Sequence, residues 1–582
     1  MMKAIPYGNT DFPYIIRNNY YYVDKTRFIE GIEQMPNYLF LIRPRRFGKS
    51  LTLAMLETYY DIRYATAFDE LFGDLYIGKH PTKLHNQFLI MRFNFSEVSS
   101  KIEETESSFR TYCCNRMKNF VDIYIDLLGE KLREEIKFVT MPGEMLSLIS
   151  SYANMKGGLR IYLMIDEYDN FTNTILSTYG TDEYRKATHG EGFIREFFNV
   201  IKASTTGPGS ALERLFITGV SPVTMDDVTS GFNIGTNITT DPRFNALVGF
   251  SSKELRAMLE YYKGENAFDE SIDDLISLMK PNYDNYHFSK YCLDEPMFNS
   301  DMTLYFLNHY LGLRRKPDEL VDPNIRTDFN KLTYLIRLDH GLGDNFSAIR
   351  EIAENGEVTT DIATHFSALD MTNPDNFKSL LFYFGLLSIK GMDYAGTPIL
   401  HVPNVVVREQ LFNFLINGYK KHDIFSIDLG LLSKLMKVMA FEGDWQPVFR
   451  FLGDAIKEQS TIREFIEGEA HIKGFLLAYL NMFRYYLLYA EHEMNKGFAD
   501  FYFRPNPAAM VTPPYTFLLE VKYAKAGAKE SDIRALADEA ATQLQQYAND
   551  EWVAEARAAG KLRLITLVWK SWELALMEEI PA

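Results

Sequence analysis

The first clear pattern of apolar and polar positions is a continuous apolar run from Tyr38 to Ile42, then Arg43-Pro44-Arg45-Arg46-Phe47-Gly48-Lys49-Ser50, then a helical repeat from Leu51 to Tyr60. Strand, tight loop and helix are the predicted succession. Further strands are predicted at Phe88 to Phe95, at Ile161 to Glu167 and at Leu215 to Gly219, with a helical region from about 99 to 157 and a turn at Thr206 to Ser210. Strands alternating with helical segments predict an α/β fold, a parallel sheet with helices on both faces. From about 250 the pattern turns helical, and Ser251 followed three residues later by Glu254 is an N-terminal capping sequence. Residues 328 to 385 read as short helices, the last running from Asn376 to about Gly385, and strands follow at Leu386 to Lys390 and Pro398 to Pro403. Helices followed by a hairpin suggest a winged helix; with no Lys/Arg-rich recognition helix, a structural role is favoured over DNA binding. Residues 406 to 450 read as helical. Phe475 to Ala490, interrupted by Asn481 and Arg484, is too short to span a membrane and reads as a buried amphipathic helix. Near the C-terminus, strands at Phe498 to Phe503 and Tyr515 to Tyr523 flank the Pro-rich loop Arg504 to Pro514.

At 582 residues the chain exceeds what one core organises, so two to four domains are expected. The start, Met1 to Gly8, lacks the apolar stretch of a secretory signal. The three cysteines, Cys113, Cys114 and Cys292, make no disulfide framework, and a reducing cytoplasm is the expected compartment. A net charge of −17 excludes a protein that coats nucleic acid through a general positive field. Residues 451 to 582 carry 14 Lys plus Arg against 19 Asp plus Glu, a net of −5, so any affinity for nucleic acid needs a focused cleft, a metal, another domain or a partner.

Two groups of residues carry chemistry. In the first loop, Gly48 lets the backbone approach an anion, Lys49 suits the β/γ-phosphates of ATP, and the Ser50 hydroxyl suits Mg²⁺. Arg46, Phe47 and Leu51 flank them, and the helix N-terminus adds free N–H groups. The usual pattern has Gly where this chain has Arg43. Asp166 and Glu167 end an apolar strand, as expected of a buried parallel strand opening on the ligand crevice. Asp166 would hold Mg²⁺ and Glu167 would polarise the attacking water; the competing reading is a core strand followed by a solvated acidic turn. At the other end of the chain, alternation puts Glu520 and Lys522 on one strand face. Opposite Asp500 they can hold one metal and one water.

The stretches R-P-R-R-F-G-K-S-L, I-D-E-Y-D (Ile165 to Asp169) and F-I-T-G-V (Phe216 to Val220), with I-P-Y-G-N-T-D-F (Ile5 to Phe12) and Y-Y-V-D-K-T (Tyr21 to Thr26), resemble the AAA-ATPase-like family of bacteria and archaea. These proteins often end in a nuclease domain of the PD-(D/E)XK superfamily, and the D…E-x-K arrangement resembles its core. The resemblance implies that Arg43 is a family trait, that Thr218 is a polar sensor of the γ-phosphate, and that Asp24 and Lys25 lie beside the nucleotide or serve as structural contacts, Asp24 as a helix cap. Asp284 to Phe288 resembles the family's lid, with His287 structural. It further implies that Asp500 and Glu520 bind Mg²⁺ with Glu469 as a further metal-shell carboxylate, that Lys522 orients the attacking water, and that Gln543 and Tyr547 lie on the helix after the catalytic strand. Many relatives have G-R-x-D where this chain has Gly497-Phe498-Ala499-Asp500, so one phosphate contact is missing.

The expected architecture is an AAA-ATPase-like P-loop domain over 1–250, a helical lid over 251–327, a winged-helix module over 328–405, a helical linker over 406–450 and a PD-(D/E)XK nuclease-like α/β domain over 451–582. The expected function is an ATP-binding and ATP-hydrolysing protein coupled to a Mg²⁺-dependent nuclease acting on nucleic acid, DNA before RNA. The alternative is an ATP-dependent switch or scaffold whose nuclease-like domain is an inactive binding module. No membrane association is expected, and homo-oligomerisation and the identity of any protein partner stay open.

Overall fold

The computed structural model describes residues 2–205, 210–224, 227, 235–317, 320–322, 344–368, 370, 373–421, 425–459, 468–495, 497–507, 509 and 511–582. The chain forms two compact units, one of residues 1–340 with 359–403, the other of residues 341–358 with 404–582. The helix Asp344–Asn355, in the stretch expected as a winged-helix module, thus groups with the C-terminal unit.

The first unit is built on a parallel sheet of β1 (Tyr38–Ile42), β2 (Leu89–Asn94), β3 (Ile161–Asp166), β4 (Leu212–Gly219) and the short β5 (Thr236–Asn237), in the order β2-β3-β4-β1-β5. The central strands are continuous apolar runs because both faces are covered, and all six residues of β3 are buried. Placing β4 between β1 and β3 reverses the winding there, which opens a crevice at the C-terminal strand ends. Ile42 pairs with Gly219 at that edge. Helix α1 (Lys49–Tyr60) starts directly after the loop, with Gly48 at φ +97° as its N-cap.

The Ser251 capping box forms as expected. Its hydroxyl accepts from Glu254 N–H and the Glu254 carboxylate accepts from Ser251 N–H. The same carboxylate meets the buried Lys25 ammonium at 2.7 and 2.8 Å. Lys25 also donates to Ala246 O, so it ties the N-terminal segment to the chain around residues 246–254. Asp24 accepts from Thr26 and from Tyr76 N–H, a structural contact. Helix α2 (Ser300–Leu313) closes one side of the crevice. Helix α3 (Pro374–Tyr383) and the antiparallel hairpin Ser388–Met392 with Pro398–His401 form where helix and strands were predicted. Most of α3 is buried, and Gly385 beyond it packs on Pro44 of the loop, where a Cβ would come within 2.8 Å. The turn at 206–209, most of the loop 231–237 and residues 328–343 lie outside the described residues.

The second unit holds a five-stranded sheet of β6 (Tyr486–Met494), β7 (Gly497–Pro505), β8 (Thr516–Ala524), β9 (Leu562–Lys570) and β10 (Glu573–Ile580) in chain order. Only β8 and β9 run parallel, so a crossover is required between them, and α5 (Glu530–Tyr547) supplies it. Helix α4 (Glu469–Leu480) precedes the sheet.

One expected element is corrected. Phe475 to Ala490 is not one helix: its first half ends α4 and its second half is β6. Asn481 caps the helix, its N–H bonding to Leu477 O and Tyr479 O, and the chain then turns. Tyr486 to Ala490 pair with β7. Two apolar blocks of different period were joined by a polar turn. No described helix is long and apolar enough to cross a membrane.

Glu254→Ala is expected to destabilise the first unit by about 3 kcal/mol, because it leaves Lys25 buried without its carboxylate. Denaturant unfolding followed by circular dichroism measures this. All four tryptophans lie in the second unit, so their fluorescence gives the reference transition.

Candidate active sites

The crevice at the end of β1 is a cavity of about 410 Å³ lined by the loop Arg45–Thr52, Glu167, the N-terminal Pro6, Gly8 to Thr10 and Tyr21 to Val23, Leu247 to Phe250, and Ser300, Asp301 and Leu304 of α2. That volume suits a nucleotide. Gly48, Lys49, Ser50 and Leu51 all line it. The Lys49 ammonium donates to Arg43 O and Pro44 O at 3.0 and 2.9 Å, folded into its own loop. Burial lowers its pKa to about 8, opposed by Asp166, Glu167 and Asp169.

Arg43, at the position where Gly is usual, does not face the cavity. Its guanidinium donates to Ile42 O, Thr239 O and Phe244 O, and lies 4.3 Å over the Phe288 ring. It acts as a strut beneath the loop, joining β1 to the segments that follow β5. Phe47 is buried edge-on against Tyr286 and Phe288 of the Asp284 to Phe288 stretch, which explains that stretch's place beside the loop. Its ring anchors the loop and its backbone remains for an anion. Arg46, at φ +66°, pairs with Asp301 at 3.2 Å and Asp322 at 3.8 Å, and Tyr7 donates to the same Asp322. Burial pushes Asp301 up to about 6 against the pull of Arg46. His287 is buried, and burial lowers its pKa, which favours the neutral ring.

Asp166 is buried at the end of β3. The Thr218 hydroxyl donates to its Oδ1 at 2.7 Å, so Thr218 addresses Asp166 and does not line the cavity. Glu167 has φ +50°, uncommon for a non-glycine residue, and its side chain reaches the cavity while accepting from Asn170. Two residues here escaped sequence reasoning. Arg92 on β2 lies 3.7 Å from Asp166 and 2.8 Å from Glu57; its only signal was a cation interrupting an apolar strand. Asp169 accepts from Val220 N–H, Ser221 N–H and Asn173, clamping the exit of β4. Its place in I-D-E-Y-D was the signal.

In the second unit, Asp500 on β7 and Glu520 on β8 lie together and almost completely buried. Asp500 N–H donates to Glu520 Oε1 at 3.2 Å, and Asp500 Oδ2 accepts from Val521 N–H at 2.7 Å. Burial and the neighbouring Asp500 push Glu520 up to about 8, against the pull of Lys522 and Lys473. Lys522 sits 3.7 Å from Glu520 and 3.3 Å from Glu539 of α5. Gln543 and Tyr547 follow Glu539 at four-residue steps on the same helix face. Tyr547 packs against Gly497, where a Cβ would come within 2.6 Å. Phe498, standing where many relatives have Arg, is 57% exposed.

Lys473 was also missed. It lies on α4, 2.5 Å from Asp500 Oδ1 and 3.0 Å from Glu469 Oε1, so one ammonium holds both carboxylates. Its spacing four residues after Glu469 was the available signal.

The donors at both sites fit Mg²⁺. Two buried carboxylates that repel each other, as the raised Glu520 indicates, are hard oxygen ligands whose repulsion a divalent cation would relieve. Among the described residues no three His, Cys, Asp or Glu side chains form a metal-holding group. Mg²⁺ commonly binds through one or two carboxylates, keeping waters and phosphate oxygens as its other ligands.

A parallel sheet of this order, ending in a G-K-S loop and an acidic strand, defines a P-loop nucleotide-binding domain; the second sheet with its D…E-x-K face defines a nuclease-like domain. Comparison with known families agrees: residues 6–229 match the AAA-ATPase-like family, described as Predicted AAA-ATPase, and residues 467–579 match the PD-(D/E)XK nuclease superfamily. The chain carries a domain of each. It is also 28% identical over 277 residues to a protein of Azotobacter chroococcum mcd 1 described as an uncharacterized protein in the vnfD 5' region. The match covers 44% of this chain and 45% of that protein, so the chain spans under half of that relative's length.

Arg43→Gly, which restores the usual loop residue, is expected to destabilise the first unit by about 3 kcal/mol, because the carbonyls it caps lose their donors. A denaturant series against the unaltered chain measures it, and an unchanged midpoint contradicts the strut role.

Proposed function

We propose that the first unit binds and hydrolyses ATP with Mg²⁺ and that the second cleaves nucleic-acid phosphodiesters with Mg²⁺, DNA before RNA. The observation that carries this reading is that each unit sets acidic residues at a sheet edge near a lysine: buried Asp166 and half-buried Glu167 act on the charge of Lys49, and buried Asp500 and Glu520 touch each other with Lys522 3.7 Å from Glu520. Burying such charges is unfavourable unless a ligand or cation uses them.

At the first site the loop N–H groups and Lys49 bind the β- and γ-phosphates, Ser50 and Asp166 would hold Mg²⁺, and Glu167 orients the attacking water. Arg46 closes on the lid through Asp301. Thr218 and Arg92 hold the Asp166 carboxylate in place. At the second site Asp500 and Glu520 would hold Mg²⁺, with Glu469 nearby. A divalent ion held there would supply an acidified water and offset charge on the phosphate. Lys522 orients that water and stabilises the charge that develops on phosphorus oxygens.

A second reading, an ATP-dependent switch whose nuclease-like domain only binds, is favoured by the exposed Phe498 in place of Arg and by the acidic character of residues 451–582. Cleavage assays on linear, circular and single-stranded DNA and on RNA, with Mg²⁺ or Mn²⁺ and with or without ATP, separate the two. Loss of cleavage in Lys522→Ala is expected; no cleavage by the unaltered chain, with ATP still hydrolysed, selects the switch.

For the nucleotide site, Lys49→Ala is expected to abolish ATP binding, and Glu167→Gln to bind ATP while hydrolysis stops. Tight binding of ATP by the Lys49 variant would contradict the assignment.

A further inference from the structure

We infer that Lys473 is a built-in counter-ion that a divalent cation must displace from Asp500, so that metal and nucleic acid bind the nuclease-like unit cooperatively. This rests on the nuclease reading above. Lys473 Nζ contacts Asp500 Oδ1 at 2.5 Å and Glu469 Oε1 at 3.0 Å, covering two of the three carboxylates expected to surround a metal. Asp500 Oδ2 is tied to the Val521 N–H, so Oδ1 is the oxygen turned to the lysine. An ammonium in contact with that oxygen repels a divalent cation approaching the same carboxylate, so the two compete for it. Lys522 plays a different part, held between Glu520 and Glu539.

The backbone of Lys473 is fixed. It sits in α4 between the buried Ile472 and the buried Phe475, so displacement is a swing of its four-carbon stem. The released ammonium stays within a side chain's length of the metal and needs an anion. A phosphodiester is the anion that arrives at such a site. By linkage, metal favours nucleic acid and nucleic acid favours metal to the same degree.

The test is a Mn²⁺ titration of the full chain without nucleotide, in the unaltered form and as Lys473→Met, Lys473→Arg and Asp500→Asn. Each is measured with and without a short DNA duplex whose linkages are phosphorothioates. Asp500-dependent Mn²⁺ binding is expected to tighten roughly tenfold in Lys473→Met, about the loss of one partly buried ion pair, and to stay near the original in Lys473→Arg. The duplex is expected to strengthen Mn²⁺ binding in the unaltered chain and to do so less in Lys473→Met. Melting without metal checks that each variant folds; if the Met variant does not, Lys473→Gln takes its place. Equal or weaker Mn²⁺ binding once Lys473 is neutralised overturns the inference alone. Absence of Asp500-dependent Mn²⁺ binding in every form overturns the nuclease reading and this inference with it.

Discussion

The Arg43 guanidinium, donating to three backbone carbonyls and stacked on Phe288, is the contact on which the phosphate loop depends. A loop of this kind must expose its N–H groups to an anion while its own underside stays dry. Without the first glycine the chain fills that underside with a cation, which caps carbonyls that would otherwise be buried unpaired. The strut then recruits its neighbours. Phe288 also receives Phe47, and the residue after Arg43, Pro44, closes on Gly385. Loop, lid stretch and helix–hairpin module share one buried joint, so a disturbance at any of them reaches Lys49.

Both units solve the same electrostatic problem. Carboxylates buried at a sheet edge need partners to offset the loss of water around their charge. The first unit answers with Thr218 and Arg92 around Asp166. In the second, lysines stand against the acids, Lys473 at Asp500 and Lys522 near Glu520. The partners differ in kind: a hydroxyl and a guanidinium in the first unit, ammonium groups in the second.

What sequence reasoning could read followed burial. Tyr38–Ile42 and Ile161–Asp166 were legible because strands covered on both faces become unbroken apolar runs, and the Ser251 cap because its two partners are local. Asp500, Glu520 and Lys522 were legible because alternation along a strand is strict, and the structure brings them together. Phe475 to Ala490 misled because helix and strand are both apolar when fully buried, and only Asn481 marked the change. Arg92, Asp169 and Lys473 carried only faint signals as site residues, for another reason. Each acts across elements distant in sequence, and a charge that looks solvated acquires its partner only on folding. The Thr218 bond to Asp166 links two neighbouring strands and has no signal in the local sequence.

The units are interleaved along the chain: residues 341–358 belong to the second unit and 359–403 to the first. On the ribosome the helix Asp344–Asn355 therefore emerges before the last piece of the first unit and long before α4, against which it packs. It first meets the helix Val405–Lys421, about fifty residues on, and only later α4. A fragment beginning at residue 404 would lack that helix, and one ending at 340 would lack the segment that closes on Pro44. Neither a cut at 340 nor one at 404 yields a whole unit, so an exchange of the nuclease-like unit in full would carry a splinter from the middle of the chain along with it.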